Sequence, residues 1–117
     1  MKVEDLMSAG VVTVHENDTV GEAREQMESL DIHALPVTDQ FGVLVGIVTS
    51  ENLMWGQEAT LPVSRVMTSP VHTLPPGAEA ILAAQIMREH KNHHVVVLDG
   101  QKIVGMVSSL DLLGLLE

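Results

Sequence analysis

Gly46-Ile47-Val48-Thr49-Ser50-Glu51-Asn52-Leu53 returns 59 positions later as Gly105-Met106-Val107-Ser108-Ser109-Leu110-Asp111-Leu112. Each stretch runs from a β-branched segment into a hydroxyl residue followed three positions on by Asn or Asp, the spacing of a side chain that caps a helical turn. Upstream the match continues with a shift of 60: Val3/Val63, Met7/Met67, Val11/Val71, Thr13/Thr73, Ala23/Ala83, Met27/Met87, His33/His93, Val37/Val97 and Asp39/Asp99. The chain is therefore two copies of one supersecondary unit, and such units usually stack because one copy cannot bury its apolar face alone. Two copies imply a pseudo-twofold pair with a cleft between halves. The copies run over residues 1–55 and 63–117, with Gly56 to Pro62 as linker.

Each copy reads as strand, helix, two strands and a short final helix. In the first, Val11 to Val14 is strand-like, and Thr19 with Glu22 forms a capping box ahead of a helix in which Val20, Ala23, Met27 and Leu30 recur at helical spacing. Ile32 to Thr38 and Val43 to Val48 are β-rich runs joined by the turn Asp39-Gln40-Phe41-Gly42. Ser50 or Thr49 caps a short helix, and Trp55, one turn beyond Asn52, is expected to pack. The second copy repeats this order. Val71 to Leu74 is a strand, Ala78 to His90 a helix, Val95 to Leu98 and Ile103 to Val107 strands around Asp99-Gly100, and Ser109 starts a last helix. The predicted class is α/β, two repeats each with a small three-stranded sheet and two helices. Methionines 7, 27, 67 and 87 recur in both copies and read as core positions.

The second long helix is apolar on nearly all sides, with Ala80, Ile81, Leu82, Ala83, Ala84, Ile86 and Met87. Such a helix must be covered on both sides, by core or by another protomer. Ile81, Leu82, Ile86, Leu112 and Leu116 are the expected homodimer interface.

Composition excludes several functions. The 117 residues are 45% hydrophobic and 19% charged, with no apolar run near the ~18 residues a membrane span needs, and no cysteine. Disulfide, thiolate and zinc-thiolate chemistry are absent, and no signal-peptide pattern is visible, so the expected location is cytoplasmic. A formal charge of −10 disfavours nucleic acid and anionic membranes as partners. It also makes a monophosphate or neutral nucleoside easier to hold than a triphosphate. No Walker loop, nucleophile elbow or convincing carboxylate pair is present, and no enzyme activity is expected. His90, His93 and His94 lack the convergent partners of a metal site, so no metal is expected.

The order and duplication of the Gly-x-x-Thr/Ser-x-x-Asp segments, of Val3-Glu4-Asp5-Leu6-Met7 and Val63-Ser64-Arg65-Val66-Met67, and of Leu35-Pro36-Val37 resemble the cystathionine β-synthase (CBS) domain, as a tandem pair. That resemblance implies a sensor that binds AMP, ATP, S-adenosylmethionine or a related adenosyl ligand between the copies, needing no other cofactor. It implies that Ser108 and Asp111 meet the phosphate and ribose. The adenine wall of the same cleft would come from Ala9, Gly10, Val11 and Val12 and from Ile32, His33, Ala34 and Leu35. A second cleft would use Thr49 and Asn52 with Ser69, Pro70, Val71, His72, His93 and His94. There Asn replaces the Asp, and loss of an ionised acceptor predicts binding weaker by roughly tenfold or more. With nothing fused to the pair, the output is expected in a separate protein effector or in the oligomer. The alternative is a degenerate pair that dimerises and binds protein without nucleotide.

Overall fold

The structure, a computed structural model, describes residues 1–54, 56 and 58–116; Trp55 lies outside them. The described chain forms α1 (Val3–Leu6), β1 (Ser8–Ala9), β2 (Val14–His15), α2 (Val20–Leu30), β3 (Ala34–Thr38), β4 (Leu44–Thr49), β5 (Thr73–Leu74), α3 (Ala80–His90), β6 (His94–Asp99) and β7 (Lys102–Ser108), with 3₁₀ turns at Glu51–Leu53, Val63–Arg65 and Asp111–Leu116. It is a mixed α/β protein with one sheet of three strands, β2-β3-β4, and one of four, β1-β7-β6-β5.

The chain divides into a continuous unit, residues 12–71, and a composite unit, residues 1–11 with 72–117. Each compact unit therefore contains the opening segment of the other repeat. In the continuous unit β2 runs parallel to β3 and β3 antiparallel to β4. Thr68 exchanges both backbone bonds with Ile47 on the free side of β4 (Thr68 N–H to Ile47 O, 2.8 Å; Ile47 N–H to Thr68 O, 3.0 Å). In the composite unit β5 is parallel to β6 and β6 antiparallel to β7, while β1 pairs with β7 through Ser8 and Ala9.

Helix α2 buries Val20, Ala23 and Met27, a stripe at i, i+3 and i+7, against Leu35, Val37 and Val48. Helix α3 buries Ala80, Ala83 and Met87 at the same offsets, and Ala83 and Met87 join the core that holds Val95, Val97 and Val107. Fully buried valines and leucines of this kind contribute about 1.5–3 kcal/mol each relative to exposure. Both helices end at a residue in the left-handed region, Asp31 (φ 52°) and Lys91 (φ 54°), which stops the helical run.

Several local expectations change. The strand expected from Val11 contracts to Val14–His15, because Val12 is exposed and only Val14 reaches the core. The short terminal helices are 3₁₀ turns, of three residues after Ser50 and six from Asp111. At the first of them Thr49, not Ser50, receives the Asn52 amide. The α3 helix begins at Ala80 rather than Ala78. Glycine is needed at Gly46 and Gly105 because a methionine lies directly on each: a Cβ at Gly105 would sit 2.5 Å from the Met7 sulfur and 2.9 Å from the Ser8 carbonyl oxygen, and one at Gly46 would fall on the Met67 sulfur. Met7 and Met67 thus pack at the edges of the two cores, and Met27 and Met87 within them.

Candidate functional site

Two polar corners stand at equivalent places, where β4 and β7 run into their 3₁₀ turns. In the composite unit the Ser108 N–H donates to Asp111 Oδ2 (2.8 Å) and the Asp111 N–H donates to Ser108 Oγ (3.1 Å). In the continuous unit the Thr49 N–H donates to Asn52 Oδ1 (2.8 Å) and the Asn52 N–H to Thr49 Oγ1 (3.3 Å). These reciprocal bonds satisfy backbone donors at a turn start, as in a capping box. All four residues are half-buried.

The strand that faces each corner is held alike. The Ser50 N–H donates to the His33 carbonyl and the Ser109 N–H to the His93 carbonyl, both at 2.9 Å. Ala34 pairs with Thr49 and His94 with Ser108, so the continuous unit sets a buried alanine beside its hydroxyl residue and the composite unit a half-buried histidine. His33 and His93 are exposed.

The other expected ligand residues are distributed as follows. Ala9 and Gly10 are exposed and Val11 half-buried in the composite unit. Val12 and Ile32 to Leu35 belong to the continuous unit, where Leu35 has no exposed surface and is committed to the core, which removes it from the expected adenine wall. Ser69, Pro70 and Val71 belong to the continuous unit, and His72 to the composite unit, its ring stacked on His90 with centroids 3.9 Å apart. Thr68, which the sequence reading passed over, accepts a long bond from the Asn52 side-chain amide (3.5 Å). Its equivalence with Ser8 in the repeat was the signal that could have found it.

Among the described residues no group of three or more His, Asp or Glu is placed to hold a metal ion. No described helix is long and apolar enough to cross a membrane.

Two small units, each an α-helix on a mixed sheet with a polar corner at the end of its last strand, define a tandem-repeat module. The chain matches the CBS domain family twice, over residues 3–56 and 63–117, and belongs to it. Among relatives, it is 32% identical over 94% of its length to 81% of the CBS domain-containing protein YhcV of Bacillus subtilis. It is 31% identical over 96% of its length to the inosine-5'-monophosphate dehydrogenase of Methanocaldococcus jannaschii, but spans only 23% of that enzyme. Of solved structures, the CBS domain pair of protein MJ0100, in complex with 5'-methylthioadenosine and S-adenosyl-L-methionine, matches with a TM-score of 0.91 at 29% identity, covering 99% of this chain and 95% of that one. A putative acetoin utilization protein from Vibrio cholerae matches with a TM-score of 0.85 at 30% identity, over 99% and 90% of the two chains.

Proposed function

We propose that this chain is a regulatory module that binds an adenosyl ligand at the Ser108/Asp111 corner and signals by a change of conformation or assembly. The observation that carries this is the state of Asp111. Its carboxylate offers about four acceptor positions, and the Ser108 amide engages one of them. A cis-diol presents two adjacent donors, which is the chemistry such a carboxylate accepts. The MJ0100 pair, similar over nearly its whole length, was solved with two adenosyl compounds, which supports the choice of ligand class. The formal charge of −10 favours ligands with little negative charge, so S-adenosylmethionine, methylthioadenosine or AMP should bind more tightly than ATP. The role is regulatory rather than catalytic, in a cytoplasmic setting.

A ligand shifts the module only by its differential affinity for two arrangements. Assembly supplies one pair of arrangements. Of the expected interface residues Ile81, Leu82 and Leu116 are exposed, with Leu110 and Leu113 beside them in sequence, and these are proposed to meet a second copy, whereas Ile86 and Leu112 pack against the core of the composite unit. That patch also favours the second reading, a dimerising protein-interaction module without nucleotide.

Isothermal titration of the full chain with AMP, ATP, S-adenosylmethionine and 5'-methylthioadenosine, beside Asp111→Ala, tests the reading. Micromolar binding by at least one of them, lost by about 100-fold in the variant, is expected. A folded wild-type chain that gives no heat with any of the four leaves the interaction module.

A further inference from the structure

We infer that the Thr49/Asn52 corner is a closed structural tie, so that the chain has one ligand-accepting corner rather than a strong and a weak one. The inference deepens the proposed function and rests on it for its ligand. It comes from counting hydrogen-bond capacity. The Asn52 side-chain carbonyl has two lone pairs, and both are taken: the Thr49 N–H donates to Oδ1 at 2.8 Å and the Thr49 hydroxyl donates to it at 3.0 Å. The hydroxyl that could have donated to a ligand is thereby turned inward. Asn52 Nδ2 is directed to Thr68 Oγ1 at 3.5 Å, a long bond that ties the turn to the segment bridging β4.

The Ser108/Asp111 corner is open by the same count. Ser108 Oγ accepts the Asp111 N–H, and among the described residues its own proton has no acceptor and Asp111 Oδ1 has no donor. A ribose diol needs two adjacent acceptors, which the Asp111 carboxylate keeps open and the filled Asn52 carbonyl does not. Substitution of Asn for Asp therefore does more than remove a charge. It puts, in place of a carboxylate with open lone pairs, a side-chain carbonyl whose two lone pairs are filled by Thr49.

The test is stoichiometry with two probes, AMP and S-adenosylmethionine, by calorimetry and amide NMR on the full chain. One ligand per chain is expected, with Asp111→Ala leaving none. Two ligands per wild-type chain, or one retained by Asp111→Ala and lost on adding Asn52→Ala, overturns the inference. If neither probe binds the wild type, the proposed function has failed for those ligands, and the tie is read directly in the free protein. The Thr49 hydroxyl proton, held on Asn52 Oδ1, should then exchange with water about tenfold more slowly than the hydroxyl protons of exposed Thr13 and Thr60. Equal rates overturn it.

Discussion

Helix α2 of the continuous unit starts at Thr19, whose hydroxyl accepts the Glu22 N–H at 3.1 Å; helix α3 of the composite unit starts at the equivalent Glu79, which makes no such cap and instead pairs with Lys2 Nζ at 2.6 Å. Beneath this difference three backbone bonds of one unit correspond to three of the other. Val63 N–H donates to Asp18 O and Val3 N–H to Ala78 O, Ser64 N–H to Glu16 O and Glu4 N–H to Pro76 O, Val20 N–H to Leu61 O and Ala80 N–H to Met1 O. All six lie between 2.7 and 3.2 Å. The skeleton is thus carried by main-chain pairing and a buried apolar stripe, which tolerate change in the side chains at helix starts and corners. Divergence between two copies is expected at those side chains, and the hydrogen bonding of Thr49/Asn52 differs from that of Ser108/Asp111.

The comparison breaks most severely where both units need the same residue. Alanine at Gly105 would bring its Cβ to 2.9 Å from the Ser8 carbonyl oxygen, which is backbone and cannot swing aside; at Gly46 the matching Thr68 oxygen would be 3.2 Å away, and the main obstacle is the Met67 side chain. Gly105→Ala should cost about 2–3 kcal/mol and Gly46→Ala about 1 kcal/mol. Denaturant unfolding of both variants measures this. Equal losses would show that the methionines, not the carbonyls, set the cost.

A smaller effect of opposite sign is expected at Asn92. Its equivalent, Ile32, packs on the core of the continuous unit, and both backbones make the same bond, to Met27 O at 3.0 Å and Met87 O at 3.2 Å. Asn92 Oδ1 is buried and has no hydrogen-bond partner among the described residues. Asn92→Ile should therefore stabilise the composite unit by about 1 kcal/mol, raising Tm by roughly 4 °C, because it removes an unsatisfied carbonyl. An unchanged or lower Tm would mean that solvent already satisfies that oxygen.

Period-3.6 and period-2 patterning made α2, α3 and the hairpins β3-β4 and β6-β7 legible, since each carries several apolar positions to one face. The exchange of opening segments was not legible. Strand β1 has two exposed residues, Ser8 and Ala9, and its pairing with Met106 and Gly105 spans nearly the whole chain. Nor does a leucine-rich tail without a clear period announce a 3₁₀ turn at Asp111–Leu116. At the site, Ser108 and Asp111 could be read from spacing. The closure of Thr49 on Asn52 could not, because it depends on where one hydroxyl proton points.

The weakest difference between the units is the Lys2–Glu79 pair, and pH resolves it. The Lys2 ammonium, by hydrogen bond and then by charge, holds the Glu79 carboxyl below its ordinary range, and Glu79 raises Lys2 in the same order. A carboxylate depressed on folding adds stability above its unfolded pKa and loses it as pH falls through the folded one. An amine raised on folding adds stability below its unfolded pKa and loses it as pH climbs through the folded one. The pair should accordingly help on a plateau between the acid limb of Glu79 and the alkaline limb of Lys2. Both side chains are about half exposed, so salt screens them and the benefit is small. Comparing Glu79→Gln with wild type at low salt, the Tm difference should be greatest near neutral pH, shrink below about pH 4, and vanish in 1 M salt. Glu79→Thr, which installs the hydroxyl found at Thr19, should recover stability through a cap that neither salt nor acid removes. A Tm gap for Glu79→Gln that persists in salt would place the role of Glu79 in packing at the helix start rather than in its charge.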